Sequence, residues 1–385
     1  MRQTVVLIPL VFTLILFSCS TPSDPPTGDP PHSVDTTSHD IDWEVIGFGT
    51  SPVASSVIFD LHIYSENDIW LVGEMEVDTT ILTIPNRQPR EHVNAVHFDG
   101  VAYTPYALEG IKAGGGMGLL FIEGVTGRKE STYFMSILGC TQVHPDTIVY
   151  HDLLELWDLW EGEGKISITP SGRIMLYGTK GFLAELRQES EFSPIQIQQL
   201  QLPTDIHVVA YEEITPDNFY VGCATPRRDR HHFYHMINGE LVEYIFPADS
   251  LYRKDICNAL WSSSDRIFSA GTPYMFSESI QDTSDRMFFN MLDDISFETT
   301  VGYIKDMAGR ANNDIFLVGD YGTILHFNGA SFHLYEDIQS RMPAGIFYSV
   351  SVHNNKVYVV GSGRPNGAPR GVLLIGTIGS PPLSG

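Results

Sequence analysis

The stretch "NNDIFLVGDYGTILHFNG" (Asn312–Gly329) restates part of an earlier one, "ENDIWLVGEM" (Glu66–Met75). A repeat restricts what a chain can fold into more than any other sequence feature. The shared pattern is a polar residue, a short apolar run and a glycine. It recurs at Asp68–Gly73, Arg173–Gly178, Asn218–Gly222, Arg266–Gly271, Asp314–Gly319 and Lys356–Gly361, with a weaker copy at Tyr133–Gly139. From Gly178 onward the terminal glycines are 44, 49, 48 and 42 residues apart, and Gly73 to Gly361 spans six steps of 48. A second signal keeps the same period. Asp99-Gly100, Asn238-Gly239 and Asn328-Gly329 each sit between apolar runs, their glycines 139 and 90 residues apart. Such dipeptides suit two-residue hairpin turns that need positive φ at both positions.

Four short strands in 40–50 residues, with no long run of helical period, describe a blade of a β-propeller. In the sixth copy the strands are expected at Val301–Ala308, Asp314–Val318, Thr323–Phe327 and Ser331–Tyr335. Copy seven lacks a fourth strand after Gly371–Ile378, and Ile41–Phe48 ahead of copy one has the character to supply it. The expectation is an all-β, seven-bladed propeller closed by an N-terminal strand. Six or eight blades are also compatible, because copy two is weak.

The first forty residues read differently. Arg2, the apolar run Val5–Phe17 and Ser18-Cys19 have the build of a secretory signal peptide, too short to span a bilayer. Leu16–Cys19 resembles the bacterial lipobox, which implies lipidation of Cys19, or plain secretion if Cys19 is unmodified. Residues 20–40 are rich in Pro, Ser, Thr and Asp and suit an extended, disordered tether. The expected organisation is a signal peptide at 1–18, a lipidated cysteine and linker at 19–40, and a propeller at 41–385. A formal charge of −24 argues against nucleic-acid partners and against contact with anionic lipid except through the anchor. Cys140, Cys223 and Cys257 imply no disulfide framework, although one bridge is open to them; three buried thiols are expected.

The repeated phrasing resembles bacterial envelope propellers related to photosystem II assembly factors, and the layout is similar to kelch- and sialidase-like propellers. The resemblance spans about 345 residues as architecture and implies a binding or assembly platform. The Ser-x-Asp-x-Gly-x-x-Trp turn of sialidases is missing; Thr169–Arg173 is the nearest stretch and lacks both Asp and Trp. No catalytic residue is therefore assigned.

Three stretches carry candidate chemistry. Arg227, Arg228, Arg230, His231 and His232 form a dense basic segment, expected in a loop between the second and third strands of blade four. Arginine forks suit carboxylates and phosphates; the alternative is a solvated loop pairing with the chain's own acids. His231 and His235 would stand about 13 Å apart on an extended strand, too far to share one ion. Trp157 and Trp160 lie among Glu155, Asp158, Glu161 and Glu163, a composition suited to sugar stacking, or to packing between blades. Thr147–Glu161 lines up, with one insertion, against Thr323–Glu336, the expected third and fourth strands of blade six. Lys112–Gly118 reads as a flexible connection, and Asp320 as satisfying its own turn. No metal or cofactor is expected. The expected function is a non-catalytic platform, monomeric, at the bacterial envelope, facing the periplasm or the cell surface. It would recognise a protein or glycan through Glu74–His92 and Arg227–His232. The alternative is a glycan hydrolase with carboxylates near the central channel.

Overall fold

The computed structural model describes residues 37–49, 56–78, 90–111, 117–119, 122–128, 131–136, 139–144, 147–152, 164–187, 196–203, 205–225, 231–244, 257–295, 300–365 and 370–379. Among them are seven four-stranded antiparallel sheets, the blades. Blade one is Val57–Ser65, Asp68–Asp78, Arg90–Phe98 and Tyr103–Tyr106, named here the inner, second, third and outer strands. Blade two is Ile122–Arg128, Ser131–Ser136, Gly139–His144 and Thr147–Asp152; blade three is Gly164–Ile168, Ile174–Gly178, Phe182–Arg187 and Gln196–Gln201. Blade four is His207–Thr215, Asn218–Ala224, His231–Ile237 and Glu240–Tyr244; blade five is Ala259–Ser262, Arg266–Gly271, Tyr274–Ser279 and Arg286–Asn290. Blade six is Ile304–Ala311, Asp314–Gly319, Ile324–Phe327 and Phe332–Leu334. Blade seven is Ile346–His353, Lys356–Gly363 and Arg370–Ile378, and its outer strand is Ile41–Phe48, paired from Ile41 with Ile378 to Phe48 with Gly371. Each blade packs against the next, and blade seven against blade one, so the ring closes.

Ring closure explains why the second strands are apolar without alternation. A blade has a neighbour on each face, so both faces are buried. Ile315 and Leu317 join the core shared with blade five, while Phe316 and Val318 join the one shared with blade seven. A separate core fills each of the seven seams among the described residues.

The repeated phrase encodes a clamp between the second and third strands. In blade six, His326 Nε2 lies 3.0 Å from Asp314 Oδ1, and its ring stacks on Phe316. His97 repeats this on Asp68 (2.8 Å) and Trp70, and His235 on Asn218 (2.7 Å) and Tyr220. Blades three and five reverse the polarity. Arg173 reaches Glu185 at 3.4 Å, and Arg266 donates to Ser277 Oγ at 2.7 Å. The closing glycine has its own cause. A Cβ on Gly319 would collide with the carbonyl oxygen of Tyr303, at the start of the blade's own inner strand.

Several expectations need correction. Gly139–His144 is the third strand of blade two, so Thr147–Asp152 is the outer strand alone and the alignment with blade six is one strand out of step. The third strand escaped notice because it lacks the His-Phe-Asn-Gly ending. The excursion at Glu74–His92 is strand at both ends, where Met75 to Asp78 pair with Val93 to Arg90, while residues 79–89 lie outside the described residues. Met117–Leu119 is no mere connection; it pairs with Glu109–Ile111 as a two-stranded ribbon, while residues 112–116 lie outside the described residues. Only Asn238-Gly239 makes the expected two-residue turn, with φ of 52° and 82°. At the other two, only Gly100 and Gly329 have positive φ. Asp99 and Asn328 instead fold four-residue loops by accepting backbone N–H groups from Val101 and Ala102, and from Ala330 and Ser331. A short polar side chain that bonds to its own loop competes with the tighter turn.

Gly319→Ala should lower stability by about 1–3 kcal/mol, the usual cost of overpacking a tight site. Denaturant unfolding monitored at the tryptophans would measure it, with Val101→Ala, at a surface position, as the unchanged control.

Candidate functional site

Antiparallel pairing sorts the loops onto two faces. The first-to-second and third-to-outer turns lie on one; the second-to-third connections and the links between blades lie on the other. Inner strands begin at this second face, and five of them carry a β-bulge near that start, at Phe59, Glu123, Val209, Lys305 and Tyr348. Three of the bulged side chains meet across blades. Phe59 and Tyr348 contact edge to face at 5.3 Å between centroids, and Lys305 Nζ lies 5.4 Å from the centre of the Tyr348 ring. Lys305 also pairs with Asp320 at 3.3 Å, so the Asp320 carboxylate serves that lysine rather than its own turn.

Each inner strand is a sheet edge facing the channel, with N–H groups its own sheet cannot satisfy. Carboxylates from the preceding blade fill that need. Asp60 of blade one accepts the Val125 N–H of blade two at 3.0 Å. Glu212 of blade four accepts the Ser262 N–H (3.1 Å) and hydroxyl (2.6 Å) of blade five. Asp306 of blade six accepts the Val350 N–H (2.9 Å) and the Ser349 hydroxyl (3.1 Å) of blade seven. These groups line the channel, partly reached by solvent yet ringed by protein. Burial pushes Asp60 and Glu212 up to about 7, against their hydrogen bonds and aided by the charge of Asp306. Asp306 is itself raised by burial, with Lys165 opposing. Burial also drives up the Tyr177 phenol, and the charges of Asp306, Asp60 and Glu212 add to it.

Asp60 and Glu212 did not stand out in the sequence, because what unites the channel carboxylates is a contact with the edge of the neighbouring blade. The segments that did stand out are placed elsewhere. Of the basic segment, His231 and His232 open the third strand of blade four, and Arg227, Arg228 and Arg230 lie outside the described residues. His232 Nδ1 is 2.7 Å from Glu243 Oε1 on the outer strand. His235 belongs to the buried clamp with Asn218. Trp157, Trp160 and Cys19 lie outside the described residues. Cys140, Cys223 and Cys257 are buried free thiols, and burial pushes Cys140 and Cys257 up to about 12. Among the described residues no helix is long and apolar enough to cross a membrane, and no group of three or more His, Cys, Asp or Glu could hold a metal ion.

The raised carboxyls make stability depend on pH. An unfolded Asp or Glu titrates near 4, so between about 4 and 7 the folded chain binds protons that the unfolded chain has released. The contribution is full below about 4, is lost as pH rises, and is gone above about 7. His62, lowered to about 4 by burial, has the opposite slope, so a single substitution isolates the carboxyl effect. Glu212→Gln mimics the protonated group, because Oε1 alone accepts from the Ser262 N–H and hydroxyl and an amide keeps that oxygen. It should raise the melting temperature at pH 8 by about 2 °C or more, with little change at pH 4.5, by differential scanning fluorimetry.

No family model matches the chain, and no curated protein matches it. Solved structures do. A structure titled YCF48 bound to D1 peptide superposes with a TM-score of 0.58 at 13% identity, covering 88% of this chain and 97% of that one. YCF48 from Cyanidioschyzon merolae gives 0.56 at 13% identity, over 86% and 98%. The WD40 domain of Neurospora crassa Pan2 gives 0.51 at 10%, over 88% and 96%. Likeness at such low identity speaks to the fold alone, and with the seven closed sheets it establishes this chain as a seven-bladed β-propeller.

Proposed function

We propose that the protein is a non-catalytic recognition platform of the bacterial envelope, tethered through a lipidated Cys19, that takes a peptide segment of a protein partner on the face of its second-to-third-strand connections. The observation that carries this reading is the contrast on that face. In blades three and six the second and third strands join through tight turns centred on Lys180-Gly181 and Tyr321-Gly322. In blade one eleven residues, 79–89, separate the same strands, and in blade four the connection holds Arg227, Arg228 and Arg230. A rigid repeated frame with unequal loops on one face is how binding scaffolds are commonly built. The peptide held by a YCF48 propeller of similar layout supports the same choice of ligand class. The charge of −24 favours a neutral or cationic segment.

A glycan hydrolase is the second reading, supported by the raised carboxyls of Asp60 and Glu212, since a raised carboxyl is what a general acid needs. Against it, Asp60 spends one oxygen on Leu61 N–H and the other on Val125 N–H.

Capture of the tagged, full-length protein from crosslinked envelopes should recover a protein partner in near-equal amount. Replacing residues 227–230, which precede the third strand, with a Gly-Ser segment should abolish that recovery while the melting temperature holds. Equal recovery by both forms, or release of sugar from envelope glycans by the purified protein, overturns the platform reading. Cys19→Ser should move the protein from the membrane pellet to the soluble fraction, as an immunoblot of fractionated cells would show; retention in the pellet argues against the anchor.

A further inference from the structure

The segment Thr37–Asp40, just before the strand that closes the ring, lies on blade six. Thr37 Oγ donates to the Asn313 carbonyl at 2.6 Å, and the Tyr335 hydroxyl donates to the His39 carbonyl at 3.1 Å. The His39 ring stacks on His333 at 5.0 Å and meets His326 edge to face at 4.8 Å. Three further contacts form a line: Asn328 Nδ2 to His39 Nε2 at 3.0 Å, His39 Nδ1 to His326 Nδ1 at 2.9 Å, and His326 Nε2 to Asp314 Oδ1 at 3.0 Å.

Both ends of this line have fixed roles. Asn328 Oδ1 accepts the Ala330 and Ser331 N–H groups, so its Nδ2 faces His39 and can only donate. At the other end Asp314 accepts. Burial opposes its charge, but hydrogen bonds from His326 and Arg310 outweigh that and hold its carboxyl below the usual range. The protons between follow by elimination. His39 Nε2 accepts and Nδ1 donates; His326 Nδ1 accepts and Nε2 donates. Each imidazole carries one proton, and every atom on the line is matched.

We propose that this relay is an acid-released latch, which holds Thr37–Asp40 on blade six while both imidazoles are neutral and lets it go when either takes a second proton. A proton on His39 Nε2 would face the Asn328 amide N–H, and one on His326 Nδ1 would face the His39 Nδ1–H. Either places donor against donor at the contact that holds the arm. Among the described residues the groups facing the pair are Asp314 and Arg310 on blade six, His333 and Tyr335 beside His39, and Asp40 and Asp337, whose charges together with that of Asp314 reach Tyr335. The added charge would thus lie among three carboxylates and one guanidinium, and what it removes is the order of donors and acceptors. Strand Ile41–Phe48 stays paired with Arg370–Ile378, so the ring remains closed. Release frees four residues, or up to about 13 Å of extra reach for the segment that precedes them.

The test places a fluorophore on Asp35→Cys in the full chain, with Cys19→Ser so that the label is unique, since the remaining thiols are buried. Anisotropy should fall reversibly, by at least half of the immobilised signal, between pH 7.5 and pH 5.5, while circular dichroism holds. His39→Phe keeps a ring against His333 but breaks the line, and should give low anisotropy at both pH values. His333→Phe should keep the transition. No transition in the parent, or one that survives His39→Phe, overturns the latch. Neither outcome bears on which partner the opposite loops bind.

Discussion

Burial on both faces of every blade is the constraint from which the rest of the molecule follows. A four-stranded sheet with Phe316 and Val318 on one side and Ile315 and Leu317 on the other cannot satisfy itself in water. It needs two partners, each of which needs another, and a ring is the finite answer. Seven small cores replace the single large one that a chain of this length could not fill. The closing glycines belong to the same demand, because the inner strand approaches the second strand more closely than a side chain allows.

A ring also leaves seven sheet edges pointing at its axis. The chain answers at three of them with carboxylates from the blade before, two of which, Asp60 and Asp306, directly follow a bulge that turns the strand. Asp60, Glu212 and Asp306 therefore join neighbouring blades through the backbone while crowding negative charge into a narrow space. Desolvation makes that charge costly, and proton uptake by Asp60 and Glu212 near neutrality is the relief. The raised carboxyls of the channel thus follow from the closure of the ring.

The architecture was legible because the clamp repeats in the sequence as well as in space. Asp68, Asn218 and Asp314 each lie two residues before an aromatic and 12 to 29 residues before the histidine that stacks on it. Blade two carries no such pair, and its strand order was misread for that reason. The turns at Asp99-Gly100 and Asn328-Gly329 were misjudged because a side chain that can bond its own loop competes with the tight hairpin, and only the pairing register decides between them. The roles of Asp60, Glu212 and His39 were invisible because they depend on residues 50 to 289 positions away. Spacing along the chain records local structure well and the meeting of distant elements poorly.

The pairing of Ile41–Phe48 with Arg370–Ile378 sets a schedule for the chain's own making. The ribosome delivers the closing strand first and its partner last, so the earliest strand must wait, unpaired, through the synthesis of six blades. Until then blade one lacks a neighbour on one face and the growing arc has an open end that could recruit a strand from another molecule. Productive folding of this protein is therefore a race between completing translation and pairing with the wrong chain, and slower synthesis favours the wrong pairing.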